Sequence, residues 1–212
     1  MVPALGGLVY FLTQILPDLR SNSAARKVSS DVVRMVNPTR DLRMLRENLD
    51  IVDSVQNRQL LARECLNVGL YEEAIELYKD CLQGRSERDP YIMLELVTAY
   101  FAGECYPEAK DTFLKLRETS PEFQSTDGRL LYARTLEYLE ENDGSLREYE
   151  AVARSFPGEE ANCRYALLLK KNGRTEKASE IFNQILARDR RRSRQHKRRE
   201  KQWVDISRQN LA

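Results

Sequence analysis

Residues 66–82 read LNVGLYEEAIELYKDCL, and this stretch decides the fold. Ala74 is followed by Tyr78 four residues later and by Cys81 after three more, so the three side chains share one helix face. The same order of a small residue, an aromatic ring and an apolar side chain occurs three more times, at spacings of 35, 36 and 33 residues. The further copies are Ala109 with Phe113 and Leu116, Ser145 with Tyr149 and Val152, and Ala178 with Phe182 and Ile185.

A second apolar helical stretch precedes each of these triads. Asp89 followed by Pro90 is typical of a helix start, Pro107 opens another helix, and Thr175 is a predicted N-cap. The sequence therefore predicts a unit of two helices that occurs four times. Each upstream stretch contains a residue at which two helices can approach closely, namely Ala62, the bulkier Val97, Ala133 and Ala166.

A period near 34 residues with these offsets resembles the tetratricopeptide repeat family, over about residues 55–187. The chain departs from that family's pattern: the first-helix tryptophan is absent, Ser145 replaces alanine, and the closing proline survives only as Pro121 and Pro157. The resemblance implies a right-handed superhelix whose concave groove holds a peptide or a partner helix. We therefore predict an all-α fold, a superhelix of about four antiparallel helix pairs (a tetratricopeptide-like α-solenoid) with N-terminal and C-terminal capping helices.

The chain divides into four predicted parts. Residues 1–20 are an apolar N-terminal segment, and residues 21–54 are a basic linker followed by an N-terminal capping helix that Asn37 and Pro38 open. Residues 188–212 form a basic C-terminal capping helix, in which Trp203, Ile206 and Leu211 cover the last repeat. Between them lie four repeats, at about 55–88, 89–124, 125–157 and 158–187.

The first 17 residues, MVPALGGLVYFLTQILP, contain no charged side chain. This length is the lower limit for crossing a bilayer core, and basic residues follow it, which favours a membrane anchor with the repeats in the cytoplasm. A buried N-terminal helix and a signal peptide are the alternatives. Through Pro3, Gly6 and Tyr10 the stretch resembles the end of the membrane segment of cardiolipin-synthase-type proteins, which suggests that the true start lies upstream. We predict a bacterial protein of the inner (cytoplasmic) membrane, or alternatively a soluble cytoplasmic one.

The charges of the chain are strongly segregated. The formal net charge is +1, but residues 47–187 carry 17 basic and 27 acidic side chains, whereas residues 188–201 carry nine basic and two acidic ones. The basic run is either a solvated helix face or a surface that is attracted to anionic membranes or to nucleic acid. Its candidate residues are Arg190, Arg191, Arg192, Arg194, Lys197, Arg198 and Arg199.

The sequence contains little that supports catalysis. It has one histidine, His196, no phosphate-binding glycine loop, and four widely spaced cysteines that do not form a metal-ligand pattern. Paired carboxylates such as those of Glu72 and Glu73 belong to helix starts, where they complement the helix dipole. We therefore predict no catalytic residues, no metal, no cofactor and no small-molecule substrate, and expect reduced thiols, which suit the cytoplasm.

The predicted partner is a protein or a peptide, with nucleic acid as the alternative. In the family that the chain resembles, the first helix of each pair lines the groove, so one face of those helices is the candidate binding site. Arginine and lysine there can meet carboxylates, and aromatic rings can serve as apolar anchors. The candidate residues are Gln59, Arg63, Asn67, Leu94, Thr98, Phe101, Arg134, Tyr138, Leu167, Lys170 and Lys171.

Overall fold

A computed structural model describes residues 38–211, and all regular secondary structure in this range is helical. A single 3₁₀ turn is formed by Gly84–Ser86. The helices in chain order are α1 (Pro38–Ile51), α2 (Val55–Asn67), α3 (Tyr71–Cys81), α4 (Pro90–Ala102), α5 (Tyr106–Thr119), α6 (Thr126–Tyr138), α7 (Asn142–Ala153), α8 (Glu160–Lys171), α9 (Thr175–Arg190) and α10 (Arg194–Gln209).

The described chain forms two compact units, divided between Val68 and Gly69. In the first unit α1 packs on α2, and the Asn57 side-chain amide donates to the carbonyl oxygen of Val52 at 2.8 Å, just after the end of α1. In the second unit the main contacts are within the pairs α4–α5, α6–α7 and α8–α9, and each pair contacts the next through α5 with α6 and α7 with α8. The terminal helix α10 packs against α8 and α9.

The four triads that predicted the repeats are buried. Each of their twelve side chains is at most 5% exposed, and the ring of Tyr149 is fully buried. The predicted contact residues Ala62, Val97, Ala133 and Ala166 are likewise completely buried. Close contact between helices requires small or tightly packed residues at these places, so the predicted pairing is confirmed for α4–α5, α6–α7 and α8–α9 of the second unit.

Ser145 replaces the expected alanine without leaving an unsatisfied polar group. Its hydroxyl donates to the carbonyl oxygen of Ala133, on the other helix of the same pair, at 2.8 Å. A buried hydroxyl is tolerated when it finds such a partner. Nearby, the Tyr149 hydroxyl donates to a Glu137 carboxylate oxygen at 2.5 Å, and burial raises the pKa of Tyr149 so that it stays a neutral donor.

Two of the three predicted helix starts are confirmed. The Asp89 carboxylate accepts from the backbone N–H groups of Tyr91 and Ile92 at 2.9 and 3.2 Å, with Pro90 in the first helical position. Pro107 lies in the first turn of α5. The prediction for Thr175 is wrong, because Thr175 is already helical and the N-cap is Arg174, whose side chain makes no capping hydrogen bond.

A left-handed residue connects the two helices of every repeat. Gly69, Glu104, Glu140 and Gly173 have φ values of 82°, 60°, 58° and 76°, and each lies five residues before the small residue of its triad. In the last three turns, the next backbone N–H donates 2.9 Å back to a carbonyl five residues earlier. Glycine adopts this conformation freely, whereas glutamate is strained in it, so the second and third turns store strain.

Candidate partner-binding face

The structure places the predicted site residues on the first helix of each pair. Within the second unit, Leu94, Thr98 and Phe101 lie on α4, Arg134 and Tyr138 on α6, and Leu167, Lys170 and Lys171 on α8. We call the accessible side of α4, α6 and α8 that carries Leu94, Thr98, Phe101, Arg134, Tyr138 and Lys171 the first-helix face. Gln59, Arg63 and Asn67 lie on α2 in the other unit, where Gln59 is half-buried and the other two are exposed.

An open cleft of about 290 Å³ lies on the first-helix face between α4, α6 and the start of α8. Gly128 allows α6 to lie close to Leu94 of α4, because a Cβ atom at position 128 would lie 2.8 Å from Leu94 Cδ1. The cleft thus has apolar walls with charged groups at its edge, a composition that suits peptide binding. Its lining residues are Leu94, Thr98, Asp127, Gly128, Leu130, Leu131, Arg134, Phe156 and Glu160.

Arg134 connects the cleft to a group of aromatic rings. Its guanidinium carbon lies 4.7 Å from the centroid of the Phe101 ring, and its Nη1 atom lies 3.7 Å from a Glu160 carboxylate oxygen. Glu160 also accepts from Arg164 Nε at 2.8 Å. The positive charge of Arg134 is therefore offset within the fold, and the buried Nε atom has no hydrogen-bond partner among the described residues.

The aromatic group consists of Phe101, Tyr106 and Tyr138. The rings of Tyr106 and Tyr138 stack in parallel with centroids 4.6 Å apart, and Phe101 meets both of them edge-on at 5.5 and 5.6 Å. The three side chains hold one another in place, yet Tyr138 is 54% exposed. A rigid and exposed aromatic ring next to an arginine is a typical anchor in protein interfaces.

At the far end of the face, the three predicted residues of α8 have different environments. Leu167 is half-buried and packs against the core cluster that includes residues of α8, α9 and α10. Lys170 donates from Nζ to the backbone oxygen of Asn210 at 3.0 Å. A carboxylate of a partner would have to compete with this contact for the Lys170 ammonium group. Lys171 is exposed and makes no ion pair with a described residue.

Solved structures with the same helix arrangement have low sequence identity to the chain. The structure titled MamA 41-end from Desulfovibrio magneticus RS-1 is 14% identical, covers 79% of this chain and 94% of its own, and has a TM-score of 0.67. Another MamA crystal structure has 17% identity, 80% and 96% coverage, and a TM-score of 0.64. A thermophilic TPR protein from Thermus thermophilus has 16% identity, 87% and 96% coverage, and a TM-score of 0.60.

At the C-terminal pair, residues 159–192 match the tetratricopeptide repeat model. Over the rest of the chain, the likeness to tetratricopeptide proteins is one of fold. The fold is the predicted all-α solenoid of helix pairs. No curated protein matches the sequence.

Sequence reasoning missed two residues that support the first-helix face. Tyr106 opens a second helix, so stepping along first helices alone does not reach it, although it stacks on Tyr138. Glu160 is the first residue of α8. Nothing in the sequence shows that it pairs with Arg134 of the preceding repeat.

The predicted basic residues lie at the end of α9, in the following turn and on α10. Arg190, Arg191, Arg192 and Arg194 are exposed, as are Arg198 and Arg199, whereas Lys197 is half-buried. The inner side of α10 is held by polar contacts. Buried Glu200 accepts from the Glu159 backbone N–H at 2.9 Å, at the start of α8, and Glu159 in turn accepts two hydrogen bonds from Arg188 at 2.9 and 2.7 Å.

The remaining predictions concern the N-terminal segment, membrane-spanning helices and metal sites. The segment 1–20, with its predicted anchor and its resemblance at Pro3, Gly6 and Tyr10, lies outside the described residues. From Pro38 onward, no helix has the length and apolar character needed to cross a bilayer. In the same range, no group of three His, Cys, Asp or Glu residues is arranged to hold a metal ion.

Proposed function

We propose that this protein is a non-enzymatic scaffold that binds a segment of a partner protein on its first-helix face. The observation that carries the proposal is the cleft between α4 and α6, together with the exposed ring of Tyr138 on the same face. Apolar walls there can receive side chains of an extended or helical segment, and the stacked rings require no ordering when the partner binds.

The polar groups of this face favour a partner with both signs of charge. Arg134 and Glu160 form a pair at the rim of the cleft, and Asp127 lines the cleft from the first turn of α6. A segment with a single strong charge would leave one of these groups facing a like charge, which costs binding energy. Exposed Lys171 supplies one further positive charge at the α8 end of the face.

The experiment is quantitative affinity capture with three forms of the full chain. The face variant combines Tyr138→Ala with Lys171→Glu, and the matched control combines Leu114→Ala with Lys115→Glu on the exposed side of α5. We expect at least one protein to be retained by the wild type and the control and to be lost from the face variant. Equal retention of every captured protein by all three forms would contradict the proposal.

We propose further that residues 1–20 attach the protein to the inner membrane, with the repeats in the cytoplasm. The uncharged stretch of the first 17 residues and the basic residues Arg20, Arg26 and Lys27 support this location. Fractionation with carbonate extraction compares the full chain with a form that lacks residues 1–20. Retention of only the full chain in the membrane pellet is the expected result, and two soluble forms would contradict it.

A further inference from the structure

Several cations of the repeat body are paired with acidic partners in a neighbouring repeat. Arg117 donates two hydrogen bonds to the Glu148 carboxylate at 2.9 and 2.8 Å, Lys110 reaches Glu141 at 2.5 Å, and Lys177 reaches Glu150 at 3.2 Å. Such pairs neutralise charge locally and contribute modestly to stability where they are exposed. With 17 basic and 27 acidic side chains, residues 47–187 carry a net negative charge.

The C-terminal end of the described chain is different. Seven side chains, which we call the basic strip, are all exposed and make no ion pair with any residue of the range 38–211. Within the strip, Arg194, Arg198 and Lys201 follow one another at spacings of four and three residues, so they form a line along α10. The strip consists of Arg190, Arg191, Arg192, Arg194, Arg198, Arg199 and Lys201.

The opposite side of α10 fixes the strip residues that this helix carries. Glu200 accepts from the Glu159 N–H, Trp203 lies 5.0 Å from the guanidinium carbon of Arg164, and the Cys163 thiol donates to the Trp203 carbonyl oxygen at 3.6 Å. These contacts hold α10 against α8, so the line of cations on its outer side has a defined geometry. A positioned row of cations binds an anionic polymer with less loss of entropy than a disordered tail does.

The composition of the strip favours nucleic acid over a membrane surface. Six of its seven residues are arginine, whose planar guanidinium binds phosphate oxygens in a bidentate manner. The apolar residues Trp203, Val204 and Ile206 pack inward against the core, so the outer side of α10 offers no apolar side chain for insertion into a bilayer. The strip also lacks aromatic rings for base stacking, so any contact with nucleic acid is made to the backbone.

We propose that the basic strip binds nucleic acid through its phosphate backbone, without reading the base sequence. This site is separate from the first-helix face and does not depend on the proposed scaffold function. The net negative charge of residues 47–187 repels a polyanion, which confines the contact to the strip. Single strands suit the site best, because a flexible backbone can follow a row of cations only a few helical turns long.

The test measures fluorescence anisotropy of a labelled oligouridylate of about 20 nucleotides with the full chain, between about 50 and 200 mM salt. If about five strip residues contact phosphates, the logarithm of the association constant falls with the logarithm of the salt concentration at a slope of about −3.5, which weakens binding about 100-fold over this range. A mixed-sequence single strand of equal length is expected to bind within about threefold, because backbone contacts carry no sequence information.

The decisive comparison is between two matched triple variants. The strip variant Arg194→Gln, Arg198→Gln and Lys201→Gln is expected to bind at least about tenfold more weakly at the lowest salt concentration, with a slope about 2 units shallower. The control variant Arg85→Gln, Lys115→Gln and Arg147→Gln removes three exposed cations of the same types from the body and should retain wild-type binding. Circular dichroism melting of both variants checks that each is folded.

Three outcomes would overturn the proposal. The first is no binding of either oligonucleotide by the wild type at the lowest salt concentration. The second is an equal loss of binding in the two triple variants, which would mean that general charge and not the strip attracts the ligand. The third is strip-dependent flotation with phosphatidylglycerol vesicles in the absence of oligonucleotide binding, which would make the strip a membrane-surface site.

Discussion

The helix pairs of the second unit and its terminal helix α10 are held by different kinds of contact. Between α8 and α9 the buried side chains include Tyr165, Leu168, Phe182 and Ile185, an apolar interface closed to water. On α10 the buried residues are Glu200, Val204 and Ser207, two of which are polar. The pairs are therefore stabilised mainly by apolar packing, whereas α10 combines the packing of Trp203, Val204 and Ile206 against the core with hydrogen bonds to α8.

This difference has a functional consequence. A face built on tightly packed pairs keeps its shape, which is what a protein-binding surface requires, and the stacked rings of Tyr106 and Tyr138 are part of it. A terminal helix that packs on one pair only and is held partly by hydrogen bonds can be released at lower cost, because water replaces the lost hydrogen bonds. The two surfaces are thus expected to respond differently to substitution and to denaturant.

The largest expected effect is in a helix-pair core. Phe182→Ala removes a completely buried ring from the α8–α9 pair and should lower the free energy of unfolding by about 3–5 kcal/mol. Urea denaturation followed by circular dichroism measures this loss. The exposed Leu114→Ala is the control, with an expected change within about 0.5 kcal/mol. If Phe182→Ala were as mild as the control, apolar packing would not be what holds the pairs.

Overpacking a helix contact should lower the free energy of unfolding by less than removal of a buried ring does. Ala109 lies on α5, which pairs with α4, and is completely buried. Ala109→Leu therefore forces the helices apart and should lower stability by about 1–3 kcal/mol. The shift of the melting midpoint reports the effect, with Ala151→Leu at a half-buried position of α7 as a comparison. An unchanged midpoint for Ala109→Leu would show that the predicted register of the repeat is incorrect.

Loss of the Glu200 carboxylate should weaken α10 without a matching effect on the pairs. Glu200→Ala leaves the Glu159 N–H without its acceptor, which costs about 1–3 kcal/mol and only while α10 is docked. Trp203 is the single tryptophan of the chain, so its fluorescence reports α10 directly. We expect the fluorescence midpoint in urea to fall well below the circular dichroism midpoint.

The control for this variant is Glu118→Ala, at an exposed position of α5. It should leave both midpoints in place. Coincident fluorescence and circular dichroism transitions in Glu200→Ala would mean that α10 and the pairs unfold together, and the contrast between them would then be lost.

The smallest expected effects are in the left-handed turns. Glu140→Gly relieves strain and should raise stability by up to about 1 kcal/mol, whereas Gly173→Ala at the equivalent turn should lower it by about 1 kcal/mol. No atom lies within 4 Å of a Cβ built on Gly173, so its effect reports backbone conformation alone. Denaturation midpoints of the two variants should move in opposite directions, and movement in the same direction would refute the strain at Glu140.

The elements that the sequence predicted well depend on spacing along one helix. Offsets of four and seven residues are enough to identify Ala178, Phe182 and Ile185 as one buried face. The left-handed turns were not predicted because glutamate occupies two of them. Only Gly69 and Gly173 are glycines, the residue type expected in this conformation. The predicted cap at Thr175 failed because a threonine at a helix start resembles an N-cap whether it precedes the first turn or lies within it.

Contacts between distant residues could not be predicted from spacing. Glu200 meets the Glu159 backbone across 41 residues, and Arg134 meets Glu160 of the following repeat. Both depend on how neighbouring pairs stack, which a single sequence does not specify. The candidate face was placed on the first helices by the resemblance to the repeat family, but its aromatic packing with Tyr106 and its internal ion pair required the structure.

Site-specific photocrosslinking in living cells tests most directly whether the first-helix face binds a partner. A photoreactive amino acid replaces exposed Thr98 in the cleft, and in a matched chain it replaces exposed Leu114 on α5. We predict a discrete crosslinked protein from position 98 that is absent from position 114 and disappears when Tyr138→Ala is added. Equal crosslinking from both positions, or none from position 98 under conditions in which the chain is abundant, would contradict the proposed binding face.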